Sequence, residues 1–326
     1  MKKASFLFLF LFPVILFHSC RNHVSREDSQ QLVIFHAGSL SVPVKEVKAA
    51  FEKENPGVEI LAEAAGSVDC ARKITDLNRP CDVMLSADYK VIDKFLIPSH
   101  ADWNLKFASN QMALVYTEHS AYSDSINADN WPRILMREEV RYGRSDPDSD
   151  PCGYRTVLTA RLADRFYDLP GFSEKLLDKD TRYIRPKETD LLALLETQTI
   201  DYIFLYRSVA IQHGLRFLEL PDSVNLANGN LDDWYQNASV KIIGKTPGDS
   251  IVQYGESMVY GLTIPKNAPN PDVALGFVRF WLHPEKGQKI LGQNGQHSVI
   301  PAPSETYHQI PASLQNFALP AETAAK

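Results

Sequence analysis

The sequence predicts an α/β protein of two lobes, each with a mixed, mostly parallel sheet flanked by helices. Short apolar runs alternate with helical patterns from residue 31 onward. About 300 residues remain once an N-terminal signal is removed, more than one hydrophobic core usually holds. A late helical pattern over residues 273–281 follows a strand but precedes none, so we expect it to return to the first lobe.

Apolar runs mark the strands, and runs with a period near 3.6 residues mark the helices. Pro43 suits the first turn of the first helix, and the turn at 55–57 ends that helix. The predicted strands are at 31–36, 58–64, 82–86, 111–117, 141–144, 201–206 and 257–264. The predicted helices are at 44–51, from 67, at 157–166, from 191 and at 273–281.

The lobes do not divide the chain at a single point. If the late helix returns, lobe one comprises residues 31–107 plus 265–326, and lobe two comprises residues 108–264. The chain then crosses between the lobes twice, which makes a hinge with a cleft beside it. Clefts between lobes are the usual place for a small ligand.

The N-terminus resembles an export signal. Lys2 and Lys3 precede an uncharged apolar run at 6–17 that is short for a membrane span, and Cys20 follows Ser19. This predicts removal of residues 1–19, lipidation of Cys20, and a polar tether over 20–30. The alternative is an ordinary cleaved signal with an unmodified cysteine. Either way we expect an exported protein, periplasmic or held at the cell membrane by its lipid.

The charge balance excludes some partners. Loss of Lys2 and Lys3 leaves 32 basic against 40 acidic residues, so the formal charge moves from −6 to −8. Such a chain does not bind nucleic acid by bulk charge. An anion must be held by local dipoles instead.

The remaining cysteines are Cys70, Cys81 and Cys152. Their odd number and spacing suggest neither a disulfide framework nor a zinc site. A bridge between Cys70 and Cys81 is not expected, because the helical stretch between them holds them apart. We interpret all three as buried small residues.

Hydroxyls and carboxylates stand where helices begin. HAGSLS at 36–41 and AGSVD at 65–69 place Ser39 and Ser67 after strands, with Ser67 as an N-cap. DPCGYR at 150–155 and RPKETDL at 185–191 place Asp150 and Glu188 ahead of helical runs. Helix starts offer free N–H groups and positive partial charge, so this combination suits a metal-centred oxyanion.

The chain resembles the archaeal-type tungstate/molybdate-binding proteins of ABC importers. The resemblance rests on the four motifs above and on four further motifs that occur in the order of that family, SADY, NQMALVYT, DYIFLYRSVAIQH and VYGLTIPKNAPNPDVALGFVRF. The resemblance covers nearly all of residues 31–300. It implies a class II periplasmic-binding-protein fold that closes on one oxyanion, without a cofactor, as a monomer that serves a permease. The stretch between Arg155 and Arg185 is shorter than in that family, which implies that a surface insertion is absent.

The resemblance also implies a ligand set. The residues that match the contacting positions of the family are Gly38, Ser39, Ser67, Asp150, Pro151, Cys152, Glu188 and Tyr206. Asp150 and Glu188 would bind the tungsten or molybdenum centre itself and raise it from four- to six-coordinate. Hard metal centres accept carboxylate oxygen, whereas the sulfur of sulfate cannot expand its coordination in this way.

Each residue also has a purely structural interpretation. Ser39 and Ser67 could serve as helix caps and nothing more, and Glu188 could simply complement a helix dipole. Tyr206 could be a core residue. Asp150 could simply brace its loop without binding a ligand. We interpret His36 as a core residue or as a group behind the ligands rather than as a ligand, and Arg155 and Arg185 as braces of the two carboxylate loops by ion pairs.

Other functions stay open at this point. A receptor for sulfate, phosphate or ferric iron is one alternative. A secreted hydrolase with Ser39 as nucleophile is another, although HAGSL lacks the second glycine of a nucleophile elbow. We expect a receptor rather than an enzyme.

Overall fold

The computed structural model describes residues 30–246 and 248–321. Two sheets, of six and five strands, organise this part of the chain. The predicted signal at 1–19, the lipidation site Cys20 and the tether before residue 30 lie outside the described residues. Within the described ranges, no helix is both long enough and apolar enough to span a membrane.

The strands include all seven of the predicted ones, together with short strands that the sequence pattern missed. In chain order they are β1 (Gln30–Ala37), β2 (Val58–Ala65), β3 (Val83–Ser86), β4 (Leu105–Ser109), β5 (Met112–Tyr116), β6 (Tyr142–Ser145), β7 (Ile184–Arg185), β8 (Tyr202–Tyr206), β9 (Arg216–Glu219), β10 (Ser239–Ile243), β11 (Ser250–Tyr254), β12 (Val259–Thr263), β13 (His297–Ser298), β14 (Ala302–Ser304) and β15 (Ala318–Pro320).

The helices cover the faces and edges of the two sheets. They are α1 (Ser41–Glu54), α2 (Ser67–Thr75), α3 (Tyr89–Val91), α4 (Trp131–Leu135), α5 (Pro151–Phe166), α6 (Phe172–Asp178), α7 (Leu192–Glu196), α8 (Arg207–Gln212), α9 (Asp222–Asn225), α10 (Asp232–Tyr235), α11 (Pro271–Leu282) and α12 (Gly287–Gln293). Two 3₁₀ turns matter for the site, Gly38–Leu40 and Glu188–Leu191.

The six-stranded sheet, with its flanking helices, is called lobe one. Its strand order is β13-β4-β12-β3-β1-β2. β1 pairs in parallel with β2 and β3, whereas β12 runs antiparallel to β3 and β4. β1 lies between β3 and β2 and its apolar residues are buried, so the turn that follows Ala37 starts from a fixed position.

The five-stranded sheet, with its helices, is called lobe two. Its order is β7-β6-β8-β5-β9, with β6 parallel to β7 and β8 and with β5 antiparallel to β8 and β9. Both sheets are therefore mixed, as predicted, with three neighbouring strands parallel in each, β2-β1-β3 in lobe one and β7-β6-β8 in lobe two. β5 and β12 each follow a crossing from the other lobe. β5 begins beside the C-terminal end of β8, and β12 begins beside the C-terminal end of β3. Each therefore runs antiparallel to that neighbour.

The predicted lobe boundaries need correction at both crossings. β12 pairs within the six-stranded sheet, so the strand assigned to lobe two over 257–264 belongs to lobe one. β4 also extends to Ser109, beyond the predicted end at residue 107. The first crossing is thus at residues 110–111, and the second runs through 255–258 after the antiparallel ribbon of β10 and β11.

The late helix α11 packs on lobe one. Phe277 and Phe280 meet Phe51 of α1 edge to face, with ring centroids 5.4 and 5.5 Å apart. Trp281 contacts Phe107 of β4 in the same way at 5.6 Å. Aromatic contacts of this kind add to the apolar area that each ring buries. They hold the C-terminal part of the chain on the first sheet.

Candidate functional site

Ser39 lies in the first turn after β1. The 3₁₀ turn Gly38–Leu40 is buried, and it leads directly into α1. The Ser39 hydroxyl accepts a hydrogen bond from the Tyr260 hydroxyl at 3.0 Å, and the Ser39 carbonyl accepts one from Gln296 Nε2 at 3.1 Å. Since the Ser39 oxygen already accepts a bond, its own hydrogen is available for another acceptor.

Ser67 is the first residue of α2 rather than its N-cap. Gly66 occupies the cap position, and no side chain caps this helix. The buried Ser67 hydroxyl instead accepts a hydrogen bond of 2.9 Å from the backbone N–H of Ala87, the residue after β3. The prediction of a capping serine is therefore wrong. Ser67 nevertheless remains able to donate its hydrogen.

Asp150 caps α5, as expected for a carboxylate at a helix start. It has an extended backbone, and its Oδ1 accepts from the N–H of Cys152 at 3.3 Å. Its Oδ2 accepts from the N–H of Glu188 at 3.0 Å, and the side chain is only 1% exposed. Pro151 takes the first helical position, and Cys152 is fully buried behind it.

Glu188 opens the 3₁₀ turn that precedes α7. It is fully buried, and neither carboxylate oxygen has a hydrogen-bond partner among the described residues. Burial raises the pKa of Glu188 well above its usual range, and the charge of Asp150 raises it further. Burial also raises the pKa of Asp150. An unpartnered buried carboxylate is unfavourable by itself, so this arrangement suits a bound group that completes it.

Tyr206 ends β8 and is fully buried. Its hydroxyl accepts a hydrogen bond of 2.9 Å from Arg155 Nη1. Burial raises the pKa of Tyr206 well above its usual range, so the phenol stays neutral and keeps a hydrogen to donate.

The structure brings the predicted residues of both lobes together. A Cβ on Gly38 would lie 2.9 Å from Glu188 Oε2, and a Cβ on Gly66 would lie 2.1 Å from the carbonyl oxygen of Ser149. Only glycine permits the lobes to approach this closely. The backbone N–H of Asp69 also donates to the Ser149 carbonyl at 3.3 Å. The lobes are therefore in contact around the candidate site.

The two arginines do not brace the carboxylate loops by ion pairs, so that prediction is wrong. Arg155 pairs with Asp88 of lobe one, with Nη2 3.3 Å from Oδ2. Arg185 Nη1 instead donates to the carbonyls of Arg182 and Ile184. Arg155 is buried and Arg185 is half-buried, and each donates to acceptors that sequence spacing does not reveal.

The predictions that the three cysteines and His36 are buried are confirmed. Cys70, Cys81 and Cys152 are free and buried. His36 is 4% exposed, and its Nδ1 lies 2.8 Å from the Ala37 carbonyl. Within residues 30–246 and 248–321, no group of three or more His, Cys, Asp or Glu side chains is placed to hold a metal ion.

The sequence pattern did not indicate Tyr260 and Asn110, which form a chain of hydrogen bonds to the Ser39 hydroxyl. Asn110 Nδ2 donates to the Tyr260 hydroxyl at 2.9 Å and to Ser208 Oγ at 2.7 Å. Tyr260 lies in the buried strand β12, where a tyrosine is typical of a core position. Asn110 lies in the segment between β4 and β5, where the chain first passes from lobe one to lobe two. No local pattern distinguishes either residue, because their partners come from distant segments.

Two α/β lobes that meet over buried hydroxyls and carboxylates have the architecture of a solute receptor. The chain belongs to the family of bacterial extracellular solute-binding proteins, which it matches over residues 32–296. It is 45% identical to an uncharacterized solute-binding protein of Petrotoga mobilis over 97% of this chain and 96% of that one. It is 39% identical to the molybdate/tungstate-binding protein WtpA of Pyrococcus abyssi, over 84% and 86% of the two chains.

Solved structures share the fold. The periplasmic molybdate-binding protein of Azotobacter vinelandii superposes with a TM-score of 0.59 at 16% identity, over 83% of this chain and 99% of that one. The sulfate-binding protein SubI of Mycobacterium tuberculosis superposes with a TM-score of 0.60 at 14% identity, over 90% and 93%. These likenesses confirm the two-lobed periplasmic-binding-protein fold.

Proposed function

We propose that this protein binds tungstate or molybdate between its lobes and delivers it to the permease of an ABC importer. The observation that carries the proposal is the buried pair of Asp150 and Glu188, in which both oxygens of Glu188 lack a partner among the described residues. The 39% identity to a protein named for molybdate and tungstate binding supports the choice of ligand.

The carboxylates determine which oxyanion suits the site. Two ionised carboxylates repel an anion that stays tetrahedral, because like charges are unfavourable in a buried site. Tungsten(VI) and molybdenum(VI) can accept carboxylate oxygen as additional ligands, so Asp150 and Glu188 would bind the metal centre of the cargo. The repulsion is then replaced by coordination, which sulfate cannot offer.

The oxo atoms of the cargo need hydrogen-bond donors. Ser39, Ser67 and Tyr206 each accept one bond from the protein and retain a hydroxyl hydrogen. Gly38 lets Glu188 approach, and the start of α5 at Pro151 and Cys152 adds the positive end of a helix. The donors come from both lobes, so a bound oxyanion favours the closed arrangement over an open one.

Calorimetry with tungstate, molybdate and sulfate tests the choice of ligand. We expect one oxyanion per chain and much tighter binding of the two metal oxyanions than of sulfate. Sulfate binding of equal or greater strength would remove the argument from metal coordination. X-ray absorption of the tungstate complex tests the geometry, because a six-coordinate centre is expected and a four-coordinate one would contradict direct carboxylate binding.

We further propose that the chain is exported, anchored through a lipid on Cys20, monomeric and not catalytic. Membership of an extracellular solute-binding family supports export. The Ser39 hydroxyl accepts from Tyr260, and the described contacts give it no basic partner of the kind a nucleophile needs. Ester and phosphate substrates should show no turnover. Mass spectrometry of the membrane-extracted chain should find acyl groups on Cys20, and Cys20→Ser should release it.

A further inference from the structure

A buried ion pair joins the lobes beside the candidate site. Arg155 belongs to α5 of lobe two, and Asp88 follows β3 of lobe one. Their side chains are 3% and 5% exposed, and Arg155 Nη2 lies 3.3 Å from Asp88 Oδ2. Tyr154 of α5 adds a second bond to Asp88, because its hydroxyl donates to Oδ2 at 2.5 Å.

The guanidinium of Arg155 also links the polar groups that face the site. Its Nη1 donates to the carbonyl of Ala87 at 2.8 Å and to the Tyr206 hydroxyl at 2.9 Å. The N–H of the same Ala87 donates to Ser67 Oγ at 2.9 Å. One arginine of lobe two thus contacts the segment that orients Ser67 in lobe one and also contacts the hydroxyl of Tyr206 in lobe two.

We propose, on the basis of the proposed function, that Arg155 is a positioning residue that couples lobe closure to the presentation of the Tyr206 hydroxyl hydrogen to the bound oxyanion. When the lobes separate, Arg155 loses Asp88 and the Ala87 carbonyl, which belong to the other lobe. When they close, these acceptors fix the guanidinium, and its Nη1 then directs the Tyr206 hydrogen away from itself and toward the cleft.

The energetics fit a coupling role rather than a role in overall stability. A buried ion pair gains little over an apolar contact when both charges are desolvated, but removal of one partner is costly. The pair forms only when the lobes meet, so its loss should act on the lifetime of the closed complex. Loss of a buried charged partner acts mainly on the dissociation rate.

Stopped-flow kinetics of tungstate binding test this coupling in four variants. Arg155→Lys keeps the charge, but its shorter side chain offers one nitrogen in place of the two that reach Asp88 on one side and the Ala87 carbonyl and Tyr206 hydroxyl on the other. Asp88→Asn is nearly isosteric and, as an asparagine, can still cap the N–H of Lys90. Tyr206→Phe and the double variant Arg155→Lys/Tyr206→Phe complete a double-mutant cycle.

We expect Arg155→Lys and Asp88→Asn each to raise the dissociation rate more than about tenfold, with a small change in association rate. In the Tyr206→Phe background the effect of Arg155→Lys should shrink, because the part that passes through the bond between Arg155 and Tyr206 is already lost there, while the part from Asp88 and the Ala87 carbonyl remains. Arg144→Lys is the matched control. Arg144 is also a buried arginine of lobe two, and its Nη2 donates a hydrogen bond to the carbonyl of Leu177 in the same lobe.

Three results would overturn the inference. One is an unchanged dissociation rate in both Arg155→Lys and Asp88→Asn, and Asp88→Asn decides if the lysine variant fails to fold. Another is an Arg155→Lys effect of the same size in the Tyr206→Phe background. The third is an equal effect of Arg144→Lys. A wild-type chain that binds no tungstate or molybdate would overturn the proposed function as well. If the wild type binds tungstate and the variants dissociate from it at the wild-type rate, only this inference is overturned.

Discussion

The backbone N–H of Glu188 donates a 3.0 Å hydrogen bond to Oδ2 of Asp150. This bond joins two loops that are 38 residues apart in the chain. It places the two carboxylates at one point of lobe two, and it leaves both oxygens of Glu188 without a partner among the described residues. The predictions below concern this pair and the groups that surround it.

Amide variants of the carboxylates should separate the metal oxyanions from sulfate. Glu188→Gln and Asp150→Asn keep the shape of each side chain but remove the oxygen charge that a hard metal binds. We expect tungstate affinity to fall more than about a hundredfold and sulfate affinity to change far less, measured by calorimetry. Asparagine can still cap α5 through Oδ1, but its Nδ2 cannot accept from the N–H of Glu188, so Asp150→Asn should unfold below the wild-type temperature while it stays folded at about 25 °C. Equal losses for both oxyanions would mean that the residues only position loops.

A methyl group on Gly38 should obstruct the site. The Cβ of Gly38→Ala would lie 2.9 Å from Glu188 Oε2 and 3.0 Å from Thr189 Oγ1, closer than van der Waals contact allows. We expect tungstate affinity to fall by roughly tenfold or more, since closure must displace Glu188. Gly57→Ala is the control, because a Cβ there meets nothing within 4 Å. Wild-type affinity in Gly38→Ala would show that Glu188 is not confined at this place.

Tyr260 should contribute to affinity without being an expected ligand. Its hydroxyl accepts from Asn110 and donates to Ser39 Oγ, so it sets the direction in which the Ser39 hydrogen points. Removal of one such bond in Tyr260→Phe should weaken tungstate binding by roughly three- to tenfold. Tyr235→Phe is the control, because Tyr235 is also buried but its hydroxyl donates to the Asp222 carbonyl. A similar loss in both variants would contradict the role of Tyr260.

His36 should make the ligand-free protein sensitive to mild acid. Burial lowers the pKa of His36 from 6.5 to about 4. Between these values the unfolded chain binds the proton and the folded chain does not, so stability falls as the pH falls. The folded form should lose about 2 kcal/mol from this residue between pH 7 and pH 5.

The measurement is urea unfolding of wild type and His36→Gln at both pH values. Carboxyl groups with raised pKa values, such as Glu188, act in the opposite direction, so the quantity to compare is the difference between the two proteins. That difference should change by the amount given above. A difference that does not depend on pH would show that His36 is protonated in the folded state.

Local patterns in the sequence determined the strands around the site and the two carboxylates at turns. The end of β1, the cap at Asp150 and the position of Glu188 follow from apolar runs and from the needs of helix starts, which involve neighbours only a few residues away. The family resemblance added the expectation that these positions converge. The sequence did not show that β12 returns to the first sheet, because any buried strand pairs equally well by pattern.

Only the tertiary structure decided the partners of the polar groups. Arg155 lies 68 residues from Ala87 along the chain, and Tyr260 lies 221 residues from Ser39. Whether a buried hydroxyl donates or accepts depends on which group reaches it when the lobes meet. Hydrogen bonds act over about 3 Å in space and carry no periodic signature along the chain, so the sequence could name candidate site residues but not their partners.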